Sequence, residues 1–184
     1  MKIGILGTGV VGQTIAGKLA SLGHEVTVGT RDPAATLKKT EKDGMGNAPF
    51  SEWHKSNSKV KLDTFANAAA GAEMVLVATN GMATLDAVKA AGKELDGKVL
   101  MDISNPLDFS KGMPPSLFVT NTDSLGEQVQ KAAPNAKVVK TLNTMNADVM
   151  VHPRALAGPH SVFVAGDDHD AKAVARDLLV GFGW

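Results

Sequence analysis

Apolar and polar positions along the 184-residue chain follow two alternating periods. Lys2 to Leu6 is a short apolar run of strand type, and Val11, Ile15, Leu19 and Leu22 then recur at helical spacing, with Gly23 as a stop signal. Glu25 to Val28 reads as a second strand and Val60 to Leu62 as a brief third one. Between them Asp32 to Ser58 is polar, contains Gly44, Gly46 and Pro49, and predicts a surface segment with one short helix near Ala35 to Lys42. Thr64 to Ala70 has helical composition, Glu73 to Thr79 reads as a buried strand, and Met82 to Leu95 presents Leu85, Val88 and Leu95 as a helix against a sheet. Lys98 to Ile103, Lys137 to Leu142 and Ser161 to Ala165 supply three more strands. Ser124-Leu125-Gly126-Glu127 has the form of a capping box, opening a helix that stops near Ala133 before Pro134. Asp170 to Val180 closes the series with a helix bearing Ala173, Val174, Leu178 and Leu179. This alternation predicts an α/β fold, doubly wound around a mostly parallel sheet, as a single domain over residues 1–184. The final Gly181-Phe182-Gly183-Trp184 reads as the opening of another strand, which leaves an unusually short terminal strand or a missing C-terminal segment as the two expectations.

The first strand runs directly into Gly7-Thr8-Gly9-Val10-Val11-Gly12, and the first helix follows at once. In that context the glycines have separate uses. Gly7 permits a tight turn, Gly9 lets the backbone approach a pyrophosphate, and Gly12 allows close packing of helix on strand. The helix presents free N–H groups and the positive end of its dipole to the phosphates. The segment therefore predicts a Rossmann-type dinucleotide site.

The end of the second strand indicates which dinucleotide. The position about twenty residues beyond the loop, where a carboxylate would hold both ribose hydroxyls, falls at Gly29. Thr30 and Arg31 follow, and a hydroxyl beside a guanidinium suits a phosphate dianion. Asp32 precedes Pro33 and reads as a turn or cap residue. The expected cofactor is NADP(H).

Composition narrows the chemistry. Acidic and basic residues are equal at 19 each, so no charge excess recommends nucleic acid or an anionic membrane surface. No stretch is long and apolar enough to span a bilayer, Met1 leads into the first strand without a signal peptide, and a cytoplasmic location is the expectation. Cysteine and tyrosine are absent, which excludes thiol nucleophiles, disulfides and a tyrosine general acid. The five histidines, His24, His54, His152, His160 and His169, lack metal-ligand spacing, and the acidic run Asp167-Asp168-His169-Asp170 reads as the cap of the last helix; no metal site is expected.

Ligands of open α/β sheets sit beyond the carboxyl ends of the strands. Three of those ends carry asparagine, at Asn80, Asn105 and Asn143, with Thr79 and Thr144 beside two of them. Amides and hydroxyls suit a carboxamide or a heterocycle, although asparagine serves equally in turns. Met82, Met113 and Met145 read as core fillers, and Asp102 as a locally hydrogen-bonded strand end. No constellation resembling proton-transfer machinery is evident. Hydride exchange between a nicotinamide and a flavin-like ring requires mainly that two faces be held together, and that chemistry fits such a site better than carbonyl reduction does.

Gly4-Ile5-Leu6-Gly7-Thr8-Gly9, Leu22-Gly23-His24-Glu25-Val26 and Val28-Gly29-Thr30-Arg31 resemble the NADPH-dependent coenzyme F420 reductases, also called F420-dependent NADP oxidoreductases. The likeness continues through Asp102-Ile103-Ser104-Asn105-Pro106-Leu107, Val138-Val139-Lys140-Thr141-Leu142-Asn143-Thr144 and Ala165-Gly166-Asp167-Asp168, nearly the whole chain. The resemblance implies NADPH at the glycine loop and Thr30 and Arg31 on its 2′-phosphate; from the residues themselves no catalytic side chain is expected. The resemblance also implies that Asn143 to Ala147, including Asn146 and Ala147, borders the nicotinamide with Asn80 and Met82 nearby, and that the partner is a small-molecule hydride acceptor, F420 or a flavin. A homodimer belongs to the same expectation. Two alternatives remain at this stage: a small-substrate NADP-dependent reductase of the hydroxyacid dehydrogenase or pyrroline-carboxylate reductase type, and a non-catalytic NADP-sensing module.

Overall fold

The computed structural model describes residues 1–184. Its centre is a seven-stranded sheet built from β1 (Lys2–Leu6), β2 (Glu25–Thr30), β3 (Lys61–Thr64), β4 (Met74–Val77), β5 (Val99–Asp102), β8 (Lys137–Thr141) and β9 (Val164–Ala165). The strand order is β3-β2-β1-β4-β5-β8-β9, with six parallel strands and β9 antiparallel on the β8 edge. Chain order reverses between β1 and β4, which creates the crevice where doubly wound sheets take their ligands. Residues 107–117 add a separate two-stranded hairpin, β6 (Leu107–Asp108) with β7 (Ser116–Leu117).

Strand alternation divides the core into two layers. Ile3, Ile5, Met74, Leu76, Met101 and Val139 face α1 (Val10–Ser21), α7 (Ala147–Val151) and α8 (His169–Phe182). Leu6, Val75, Val77, Leu100 and Val138 face α4 (Phe65–Ala70), α5 (Gly81–Ala91) and α6 (Leu125–Ala132). Both sides of the central strands are covered, which explains why β4 reads as an unbroken Met-Val-Leu-Val run rather than an alternating one. No helix is long and apolar enough to cross a membrane.

Local chemistry sets most element ends. Gly23, at positive φ, closes α1 with paired bonds from its own N–H to the Ala20 carbonyl and from the His24 N–H to the Leu19 carbonyl. Asp32 caps α2 (Pro33–Lys38), so the short helix starts two residues earlier and ends four earlier than the polar pattern suggests. Ser124 Oγ accepts from the Glu127 N–H, but the Ser124 N–H is taken by Asp123 rather than by Glu127, so only half of a capping box forms. Asp168 caps α8 as the acidic run predicts, and the Ala171 N–H together with the Lys137 ammonium hold its carboxyl below the usual carboxylate range.

Several expectations are corrected. The 181–184 segment does not open a strand. Helix α8 runs to Phe182, which is buried with Ala171, Ala175, Leu178 and Leu179, and Gly183 ends it in the left-handed region. The apolar stripe is thus shifted from Ala173 and Val174. The Met82 to Leu95 helix is two pieces, α5 and a 3₁₀ turn over Gly92–Leu95, broken where Gly92 takes positive φ. The seventh strand is only Val164–Ala165, and α3 (Phe50–Ser56) lies inside the polar stretch. Met82 and Met113 are 70% and 78% exposed, so neither fills the core; Met145 does pack against it.

Candidate functional site

The β1–α1 turn is closed by steric necessity on two sides and open on the third. Gly7 has φ +127°, and a Cβ there would sit 2.7 Å from the Ala78 carbonyl oxygen of the neighbouring strand end. A Cβ at Gly12 would overlap the Gly7 carbonyl, so α1 lies directly against the turn. At Gly9 a Cβ would meet nothing within 4 Å. Gly9 is also the N-cap of α1 and supplies no side chain, which leaves the first N–H groups of a twelve-residue helix directed at open space. Tight beneath and open above is the cradle a pyrophosphate requires.

That cradle continues into a cleft of about 400 Å³ at the ends of β1 and β2, lined by Thr8, Gly9, Val10, Gln13, Thr30 and Arg31, and also by Lys39 and by residues of the 41–50 segment. Gln13 Nε2 donates to the Thr8 carbonyl at 2.9 Å and steadies the loop. Val11 is on the other side of the helix, against the core. Arg31 is exposed and makes no ion pair. Thr30 is committed differently. Thr36 Oγ1 donates to the Asp32 carbonyl at 2.8 Å, and Thr30 Oγ1 lies 2.9 Å from Thr36 Oγ1, so the Thr30 hydroxyl is the donor of that pair.

The amide-bearing strand ends are only partly convergent. Asn105 Nδ2 donates to the Asn143 carbonyl at 2.9 Å, joining the loops after β5 and β8. Asn80 and Asn146 instead cap helices, accepting from the Ala83 and Val149 N–H groups at 2.9 and 3.0 Å, and Ala147 is the first residue of α7. Thr79 Oγ1 pairs with Thr84 Oγ1 at 3.0 Å. The signal for the caps was present in the sequence, since each of these asparagines immediately precedes a helical run. The β4 and β5 ends still meet, because a Cβ at Gly81 would overlap the Asn105 carbonyl and the start of α5 lies against that loop. Asn105 and Asn143 also line a second cavity of about 610 Å³, bounded by Pro106, Leu117, α6 and the Val138–Lys140 side of β8.

Two features under these loops went unnoticed in the sequence. Lys140 reaches from β8 to Asp102 at the end of β5, Nζ to Oδ2 2.9 Å, and also donates to the Ser104 carbonyl. Asp102 is completely buried, and its other oxygen accepts from the Ser104 N–H and hydroxyl at 2.9 and 2.6 Å. A lysine inside an apolar strand, in register with a strand-ending aspartate, was the available signal. Leu142, buried, takes φ +64°, a conformation that costs a residue with a Cβ roughly 1–2 kcal/mol. It turns the chain so that the Asn143 carbonyl meets Asn105.

A family model described as NADP oxidoreductase, coenzyme F420-dependent, matches residues 2–106. The F420-dependent NADP reductase of Methanothermobacter marburgensis is 31% identical over 189 residues, covering 97% of this chain and 78% of that protein. A crystal structure from Arthrobacter sp. FB24, assigned as an F420-dependent NADP reductase, is similar at TM-score 0.92 and 57% identity, covering 100% of this chain and 81% of that one. Pyrroline carboxylate reductase of Plasmodium falciparum shares the fold alone, at TM-score 0.59 and 12% identity over 99% of this chain and 55% of that one.

Proposed function

The chain belongs to the coenzyme F420-dependent NADP oxidoreductase family, and from that premise we propose that it transfers a hydride between NADPH and a deazaflavin (F420) or a flavin-type acceptor. The observation that carries the reading is the glycine cradle continuous with a cleft whose guanidinium, Arg31, has no acidic partner. On this reading residues 1–184 form one NADP-binding domain. The N–H groups of Val10, Val11 and Gly12 hold the pyrophosphate, and Arg31 holds the 2′-phosphate. The Asn105–Asn143 pair, with Asn80, Met82, Asn146 and Ala147 around it, borders the nicotinamide.

NADPH, when bound, supplies the hydride. The protein's part is to hold the two rings in contact and to exclude water from between them. The side chains at the ends of β4, β5 and β8 suit that task, being amides and hydroxyls with fixed hydrogen bonds. A carbonyl acceptor would in addition need a proton donor beside the reacting carbon.

Anaerobic oxidation of NADPH with F420, FMN and riboflavin in parallel tests the proposal. Turnover with one of these ring acceptors, and none with imines or keto acids, is the expected result. Turnover of imines or keto acids alone would assign the protein to small-substrate reduction. Tight NADPH binding with no turnover of any acceptor would favour a sensing role.

A further inference from the structure

The cleft at the end of β2 contains a second cation that forms no ion pair, and we propose that Lys39 shares the 2′-phosphate with Arg31 and is a determinant of NADPH over NADH. The inference rests on the NADPH reading of this cleft and replaces Thr30 as the second group on the phosphate. The Thr30 hydroxyl proton is committed to Thr36, whose own proton is committed to the Asp32 carbonyl, so Thr30 offers an oxyanion only lone pairs. Lys39 lines the cleft with Arg31. Its backbone is fixed there, following α2 and accepting a hydrogen bond at its carbonyl from Ser51 Oγ at the start of α3.

Three carboxylates, Asp32, Glu41 and Asp43, also line the cleft. Asp32 is engaged by the Ala35 N–H, and Asp43 by the Met45 and Asn47 N–H groups and the Asn47 side chain. Neither comes within ion-pair distance of Lys39 or Arg31, although the Asn47 side chain and, to a smaller extent, the nearby Lys39 charge hold the Asp43 carboxyl below the usual carboxylate range; Glu41 pairs with no cation. A dianionic phosphate therefore finds one guanidinium and one ammonium that no carboxylate contacts directly. NADH carries a hydroxyl at that position and gains nothing from the lysine charge.

The test titrates wild type, Lys39→Gln and Lys38→Gln with NADPH, NADH and adenosine 2′,5′-bisphosphate at low and high salt. Lys38 sits in the last turn of α2, outside the cleft, and its variant carries the same change in net charge. Lys39→Gln is expected to weaken NADPH and the bisphosphate by about five- to tenfold at low salt, less at high salt, with NADH unchanged. Lys38→Gln is expected to stay within about twofold for all three probes. Unchanged NADPH affinity in Lys39→Gln, or an equal loss in Lys38→Gln, would overturn the assignment of Lys39. Wild type binding NADPH and NADH equally would instead overturn the NADPH reading on which it rests.

Discussion

Replacing Lys140 by methionine is expected to lower the unfolding free energy by about 3–5 kcal/mol, the cost of leaving a buried charge without its partner. The Lys140 side chain is 23% exposed, whereas Asp102 is at 0%, so water reaches the lysine and not the aspartate. Methionine keeps most of the aliphatic stem, so the loss comes from the charge rather than from a cavity. Asp102 Oδ2 then has no donor, while Oδ1 still holds the Ser104 N–H and hydroxyl. Replacing Asp102 as well, by asparagine, removes the stranded charge and is expected to recover part of the loss. Urea denaturation at neutral pH measures both variants. A loss below about 1 kcal/mol in Lys140→Met would mean that the pair behaves as a surface ion pair, against the burial described here. The effect extends to the site, because the same ammonium holds the Ser104 carbonyl immediately before Asn105.

Arg31→Ala is expected to reduce the preference for NADPH over NADH by on the order of ten- to a hundredfold, the equivalent of one charge-assisted phosphate contact of about 1.5–3 kcal/mol. In wild type NADPH is accordingly expected to bind at least about tenfold tighter than NADH. Arg31 makes no ion pair that its removal would disrupt, so NADH affinity and thermal stability are expected to change little. Calorimetric titration with both nucleotides separates the outcomes. A parallel loss of NADH affinity would make Arg31 a structural residue of the β2–α2 turn.

The nucleotide half of the molecule was legible because its constraints are local. A strand, three glycines at fixed offsets and an amphipathic helix each carry their own signal, and Gly7 and Gly12 occupy positions that a side chain could not. The other half depends on contacts distant in sequence. Phe50 is buried in the core on α3, inside a stretch whose polar composition suggests a surface segment with its one helix further upstream. Phe182 completes the face of α8 within the four residues whose pattern suggested the opening of a strand. Asn80, Asn105 and Asn143 looked equivalent by position, yet the Asn80 side chain meets a helix N–H group and the Asn105 side chain reaches across to the Asn143 carbonyl at another strand end. The partner of Thr30 was hidden for a related reason: its hydroxyl meets Thr36, six residues away on a helix whose packing no periodicity reveals.

The most direct test of the proposed chemistry follows the transferred hydrogen itself. NADPH carrying deuterium at the reactive face of C4 is mixed anaerobically with the protein and F420 in ordinary water, and the reduced product is examined by NMR and mass spectrometry. Because C5 of a deazaflavin is carbon and does not exchange its hydrogen with solvent, direct transfer between rings in contact leaves one deuterium at that carbon. That is the predicted result. Reduced F420 carrying hydrogen from water at C5, or no reduction of F420 together with none of FMN or riboflavin, would contradict it.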